Sequence, residues 1–298
     1  MRAKPSKIKL IWVRGADTPS FHRPNVFFAV GIRGAGKSSF LEVIGEHYFY
    51  HGANILDIFG ARSGEGLAWL RSPWAKETNK ILLIRGRFVD VQCSWNAKSW
   101  KDLTLNDFET NRIIISASPL YGNINEEFLA VNRIFDLLFK RLGWKKYIYI
   151  LVREAANLFY SRMKIAENQL LAKNEAAYLI RESRHHGLAL GMDTQKTTSV
   201  DADLRALIDY LVIKNHGYYS LPRELWWIYR YLDPMWIRNM EPREFAILSR
   251  TGAIGIGTTS YNTWHKKPRE NLLKTLGIKI EKIEGSELEG EVEEKYIG

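Results

Sequence analysis

The sequence predicts an α/β protein built on a mainly parallel sheet with helices on both faces, and three observations predict it. Strand-length apolar runs recur at Val26–Val30, Asn54–Phe59, Ile81–Ile84, Arg112–Ser116, Tyr147–Val152, Leu188–Met192 and Leu211–Ile213. Segments of helical period separate most of them, the alternation expected of a parallel sheet covered on both sides. Between the first run and the first helix stands Gly31-Ile32-Arg33-Gly34-Ala35-Gly36-Lys37-Ser38, a complete G-x-x-x-x-G-K-[ST] phosphate loop in its strand, loop and helix setting.

The loop carries the most specific chemistry. Gly31, Gly34 and Gly36 allow the backbone to turn its N–H groups inward around phosphate oxygens, and the helix beginning Ser39-Phe40-Leu41 adds the positive end of its dipole. Lys37 is placed to reach β/γ-phosphates and Ser38 to offer its hydroxyl to Mg²⁺. The expected ligand is ATP with Mg²⁺, cradled by Gly31, Gly34, Ala35, Gly36, Lys37, Ser38 and Ser39.

At 298 residues and 46% hydrophobic content the chain is long and apolar enough for a full core. Its one cysteine, Cys93, excludes an internal disulfide and a cysteine-rich zinc site. No apolar run approaches the ~20 residues of a membrane span, and Ile8–Val13, interrupted by Lys9, is too short for a signal-peptide core. The expectation is a cytoplasmic protein, in the host cytoplasm if viral. Net charge is +10 and unevenly placed. Residues 281–298 hold seven glutamates against two lysines, a local −5, which leaves residues 1–280 at +15. A basic body suits a polyanion such as DNA, equally a solvated Lys/Glu-rich surface, and the acidic tail suits a solvating end or a competitor for the DNA surface.

Ile124, Phe128, Val131, Phe135, Leu138 and Leu142 repeat at helical spacing, with Glu126 and Glu127 near the start, Lys140 and Arg141 at the end and Gly143 beyond. A second long helix is expected from about Glu167 to His186, stopped by Gly187. The stretch from about 60 to 107 breaks the alternation and reads as an insertion on the core. Trp69, Trp74, Trp95 and Trp100 lie there among Arg62, Arg71, Lys76, Arg85, Arg87, Lys98 and Lys101. Rings among cations suit single-stranded nucleic acid, and tryptophans filling a satellite core suit the same pattern.

A phosphate loop needs partners on other strands. Tyr147–Val152 followed by Arg153-Glu154 has the form of the strand that usually ends Asp-Glu, where aspartate holds Mg²⁺ through water and glutamate polarises the attacking water. Glu154 supplies the second group, and Arg153 stands where the magnesium acid belongs. Downstream come Arg181-Glu182-Ser183-Arg184-His185-His186-Gly187, the strand-like run ending Asp193-Thr194-Gln195, Val200-Asp201-Ala202-Asp203-Leu204-Arg205, and the strand at Leu211.

From about Asn25 to Lys214, and through Glu244–Leu248 to about 258, this pattern resembles the HerA/FtsK superfamily of DNA-translocating P-loop ATPases, in particular small members of archaeal viruses and mobile elements. The resemblance implies a RecA-like core, a hexameric ring of identical subunits, ATP hydrolysis at subunit interfaces and DNA as partner. It matches Gln195 to the glutamine that senses γ-phosphate or the attacking water and Arg184 to an arginine that reaches a neighbour's nucleotide. Arg181 lies one turn from Arg184, and both also suit helix-end cations. Asp57 matches an acid whose role is structural, and His185 and His186 lack companions for a metal site.

The expected organisation is a basic segment 1–24, an ATPase domain 25–260 and a C-terminal extension 261–298. The expected function is an ATP-driven translocase or genome-packaging motor with Glu154, Gln195 and Arg184 as catalytic residues. Asp193, two residues before Gln195 and so on the same strand face, is expected to replace the missing acid near Ser38, with Arg153 turned away or paired to a carboxylate. One alternative is a nucleotide-binding regulator or assembly protein that hydrolyses weakly because of Arg153. Another is a terminase-like packaging ATPase, although no acidic cluster for a fused nuclease is found.

Overall fold

The computed structural model of the chain describes residues 3–60, 64–142, 144–155, 177–178, 180–195, 207–218, 220–260 and 262–283. Its strands are β1 Ile8–Arg14, β2 Val26–Val30, β3 Asn54–Phe59, β4 Ile81–Arg85, β5 Val89–Gln92, β6 Asn96–Ser99, β7 Ile113–Ser116, β8 Ile148–Arg153, β9 Leu188–Thr194, β10 Tyr210–Ile213, β11 Glu244–Ser249, β12 Ile254–Thr259 and β13 Lys279–Lys282. Among the described residues eleven of them make one sheet in the order β1-β12-β11-β10-β2-β9-β8-β3-β7-β4-β6. From β10 to β6 every pairing is parallel, and β11, β12 and β1 extend the sheet antiparallel.

Why these runs become central strands is visible in their burial. Each residue of β2, β3, β8 and β9 is buried, as strands covered on both faces must be, and they carry few polar side chains to oppose it. Helix α1, Lys37–Tyr50, starts from Gly36 and packs across β8, β9, β3 and β2. Short helices α2 Pro73–Lys76 and α3 Leu105–Thr110 follow, the first capped by Ser72, the second by a Thr104/Asp107 box. Helix α4, Ile124–Phe139, starts at the Asn123 cap, whose side chain accepts from the Glu126 N–H. Helices α5 Pro234–Asn239 and α6 Leu272–Leu276 follow later in the chain.

The seven sequence-derived strands are all present, β2 and β3 with the expected bounds and the other five with one or both ends moved by one or two residues. Three expectations change. Leu142 is 85% exposed and outside α4, because the chain turns after Phe139 to bury Arg141. Arg141 donates to the His186 carbonyl at 2.7 Å and pairs with Glu109, so it joins two segments rather than answering a helix dipole. The stretch 64–107 is woven into the sheet, since β4 pairs with β7, and β6 with β4. Trp69 and Trp74 are fully buried, so neither ring is free to stack on a base.

The expected helix ending at Gly187 is described only from 177. Regular helix there ends at residue 182. A tight turn follows, closed by the Leu188 N–H on the Ser183 carbonyl at 2.8 Å, with Gly187 at φ 65°. The earlier part of that helix, Arg62, residues 200–205 and the tail from 284 lie outside the described residues.

One close approach shows how tightly the sheet holds α1. Tyr149 donates from its hydroxyl to the Leu41 carbonyl at 3.0 Å, and a Cβ added at Gly191 would lie 1.9 Å from that hydroxyl. Gly191→Ala is therefore expected to destabilise the fold by about 1–3 kcal/mol or more, read as a lower urea midpoint. An unchanged midpoint would show that β9 and Tyr149 are not packed in this way.

Candidate nucleotide-binding and hydrolysis site

The loop from β2 to α1 is shaped by its neighbours as well as its glycines. Gly36 has φ 79°, and a Cβ there would lie 2.3 Å from the Pro242 carbonyl oxygen, so any side chain is strained twice over. Pro242 is held in turn by Lys214, which follows β10. Its fully buried ammonium donates to the Pro242 carbonyl at 2.9 Å and the Glu244 carbonyl at 2.8 Å. Burial pulls the Lys214 pKa down to about 7. On the same side the Ile32 N–H donates to the Asn215 carbonyl at 2.8 Å.

The helix ladder begins with the Phe40 N–H on the Gly36 carbonyl at 3.0 Å, so the amides of Gly36, Lys37, Ser38 and Ser39 have no partner within α1 and collect at its positive end. Lys37 is buried, with Nζ donating to the Ile32 carbonyl at 3.0 Å across the loop. The hydroxyl of Ser39 turns the other way, donating to Asn262 Oδ1 at 2.7 Å.

Two adjacent strands bring acids to this loop. From the end of β9, Asp193 is 3% exposed and accepts from the Ser38 hydroxyl at 3.0 Å through Oδ2. Its other oxygen accepts from the backbone N–H of Glu154 at 2.7 Å. Glu154 follows β8 with φ 49°, a left-handed conformation that costs a non-glycine residue energy and here aims its amide at Asp193. Burial, followed by the Asp193 charge, pushes the Glu154 carboxyl above its ordinary range, while Lys37 opposes the shift. Burial raises Asp193 as well, again against Lys37. The side chain of Gln195, exposed just past β9, hydrogen-bonds to Glu154.

Arg153, at the position of the missing acid, points into the protein. It is 1% exposed and donates to both Asp57 oxygens, Nε to Oδ1 at 2.8 Å and Nη2 to Oδ2 at 2.7 Å. Nη2 also reaches Glu42 Oε1 on α1 at 2.8 Å. Asp57 accepts in addition from the Trp69 indole at 2.9 Å, which accounts for the burial of that tryptophan beneath α1. Burial pushes Asp57 up to about 6, with Arg153 opposing. Glu42 is buried too, yet His265 and Arg153 together outweigh burial and hold it at about 2. Glu42, His265, Lys214 and Pro242 escaped sequence reasoning. An acid one turn into a buried helix was the one available signal for Glu42, and nothing local marked the others.

Arg184 lies elsewhere. It pairs with Asp209 at 2.6 Å, and Asp209 accepts from the N–H of Val26, the first residue of β2. The phosphate loop leaves the opposite end of that five-residue strand, about 17 Å away at the usual rise. Arg181 and Arg184 are exposed, and His186 Nδ1 lies 3.1 Å from the Arg141 carbonyl. Among the described residues no cluster of three or more histidine, cysteine or acidic side chains has metal-binding geometry, and no helix is long and apolar enough to cross a membrane.

The ion pairs make stability pH-dependent. The Glu42 carboxylate raises His265 above 6.5 against burial, with Arg153 opposing and Glu65 assisting, so its contribution is complete below pH 6.5 and is lost as pH rises through the raised value. Glu42 acts in the opposite sense, losing its contribution only as pH falls from 4.5 toward 2. The melting-temperature advantage of the native chain over His265→Gln should therefore shrink as pH rises above 6.5. Parallel curves would remove His265 from the network.

No protein-family model matches the chain, and no curated protein matches it. Solved structures do. The pCW3 conjugation coupling protein TcpA, in its monomer form with ATPγS, superposes with TM-score 0.50 at 15% identity over 89% of this chain and 70% of that one. Looser likenesses are to the genome packaging NTPase B204 from Sulfolobus turreted icosahedral virus 2 and to EccC from Thermomonospora curvata. B204 gives TM-score 0.46 at 18% identity over 83% of this chain and 98% of that one. EccC gives 0.44 at 11% over 81% and 37%. By motif and by fold, this chain is a P-loop NTPase-fold protein.

Proposed function

We propose that the chain is an ATP-driven motor acting on DNA, a translocase or genome-packaging ATPase that works as a ring of identical subunits. The observation that carries the reading is the contact between Ser38 and Asp193 at 3.0 Å, with Glu154 hydrogen-bonded to the same carboxylate. It gives the loop the acid that Arg153 denies it, and so favours hydrolysis over a regulator that only binds nucleotide. The neighbours TcpA, a conjugation coupling protein, and B204, a genome packaging NTPase, agree in kind.

The residues fit Mg·ATP. Gly34 turns the loop at φ 80° with open space where a Cβ would stand, four amides lie at the start of α1, and Ser38 with Asp193 forms an all-oxygen donor set suited to a hard cation. In this reading Gly31 and Gly34–Ser39 would hold the phosphates, and Ser38 and Asp193 would hold the ion. The bound ion supplies charge neutralisation at the phosphoryl oxygens. Glu154 orients the attacking water, its carboxyl raised toward the working pH of a base by burial. Gln195 fixes the Glu154 carboxylate and senses γ-phosphate. The basic body, +15 over residues 1–280, meets the DNA backbone.

Steady-state ATPase assays with and without DNA test this. Hydrolysis should be stimulated by DNA, abolished in Lys37→Ala, and reduced about 10²-fold or more in Glu154→Gln. Asp193→Asn should raise the Mg²⁺ concentration needed for half-maximal rate. Activity untouched by Lys37→Ala, or metal dependence untouched by Asp193→Asn, contradicts the assignment.

Arg184 belongs to the ring part of the proposal. It lies at the end of β2 remote from its own loop, so any nucleotide it serves belongs to another subunit. Mixing Arg184→Ala with Glu154→Gln subunits should then restore part of the activity each lacks alone. A fully active Arg184→Ala protein would reduce this residue to the partner of Asp209.

A further inference from the structure

Past β12 the chain turns back across α1 and ties itself to one polar stripe of that helix. Ser39, Glu42 and Glu46, three and four residues apart, share a face. Asn262 accepts from Ser39 at 2.7 Å and donates to Glu42 Oε2 at 2.8 Å. Trp264 donates from its indole to Glu46 at 2.7 Å, and His265 Nδ1 lies 2.6 Å from Glu42 Oε2. Farther along, Arg71 grips the segment from outside, donating to the Trp264 and His265 carbonyls, each at 2.6 Å, and pairing with Glu270. Glu42 is thus shared, one oxygen to this segment and one to Arg153.

Arg153 closes the path to the site. Its guanidinium is pinned between Glu42 on α1 and Asp57 on β3, and its own backbone leads directly into Glu154 with φ 49°. A left-handed residue at a strand end persists only where its surroundings hold it, and here one neighbour is anchored by a buried fork while the amide is fixed by Asp193. A free carboxylate at position 153 would leave Glu42 and Asp57 facing each other with no cation between them.

We propose that residues 262–270 form a strap that sets the position of Glu154 through His265 and the buried Glu42 and Arg153, which makes Arg153 a positioning residue of the hydrolysis site. This rests on Glu154 being the water-orienting group, and it adds a control point: whatever loosens the strap loosens Glu154. The strap engages only the Ser39 hydroxyl, which turns away from the loop, and leaves the Ser39 amide, Lys37 and Ser38 to the phosphates. Its loss therefore acts on the chemical step more than on nucleotide affinity.

Two measurements on the full chain test it, using His265→Ala and Arg153→Lys, the second keeping the charge but losing the fork that bridges two carboxylates. Hydrogen exchange at the Glu154 amide should quicken about tenfold in both variants, and kcat should fall by about the same factor, the scale set by a small misplacement of a catalytic group. The Kd for ATPγS should stay at the native value. Exchange that changes only within 262–270 overturns the strap, and so does a loss of ATPγS affinity parallel to the loss of kcat. A native chain without hydrolysis would defeat the proposed function alone, because the exchange measurement needs no turnover and still decides whether the strap reaches Glu154.

Discussion

A guanidinium buried between two carboxylates organises the centre of this protein. Burying Arg153, Glu42 and Asp57 together demands that every charge be answered, because removing one member of such a group leaves the others stranded at a cost of about 3–5 kcal/mol. The fork of Arg153 answers both acids at once, at 2.7–2.8 Å. That requirement fixes α1 against β3 and β8. The helix that follows the phosphate loop, the strand that leads into Glu154 and the acid of the neighbouring strand are therefore held in one frame.

Placing a cation where the strand beside a phosphate loop usually ends in an acid has a consequence for the proposed metal site. The acid has to come from elsewhere, and β9 lies next to both β8 and β2 in the sheet. Its Asp193 accepts from the Ser38 hydroxyl and from the Glu154 amide, so one carboxylate joins the loop to the residue that follows β8. The charge exchange between β8 and β9 leaves the phosphate-facing side acidic and sends the arginine to the far side, where α1 supplies Glu42.

Much of this was legible from residues alone, for identifiable reasons. Central parallel strands are continuous apolar runs, and β2, β3, β8 and β9 announced themselves in that way. The loop motif carries its own geometry, and strand periodicity put Asp193 beside Gln195. The antiparallel edge was harder. In β1, Ile8 to Arg14, half-buried and exposed positions alternate along most of an edge strand with one wet face, but Leu10 to Val13 are all apolar, and partners 240 or more residues away give no local signal. His265 and Asn262 were illegible for a related reason, since each matters only through Glu42, 220 or more residues distant in the chain. Leu142 continued a helical period that Arg141 ended, a case of tertiary burial overriding pattern.

The account stands on where the cation goes. A crystal structure with Mn²⁺ and a non-hydrolysable ATP analogue would locate it by anomalous scattering. The predicted result is one peak against the Ser38 hydroxyl and facing the Asp193 carboxylate, with the Arg153 guanidinium still between Glu42 and Asp57. A peak away from Asp193, or Arg153 released from its two carboxylates to face the phosphates, would contradict it.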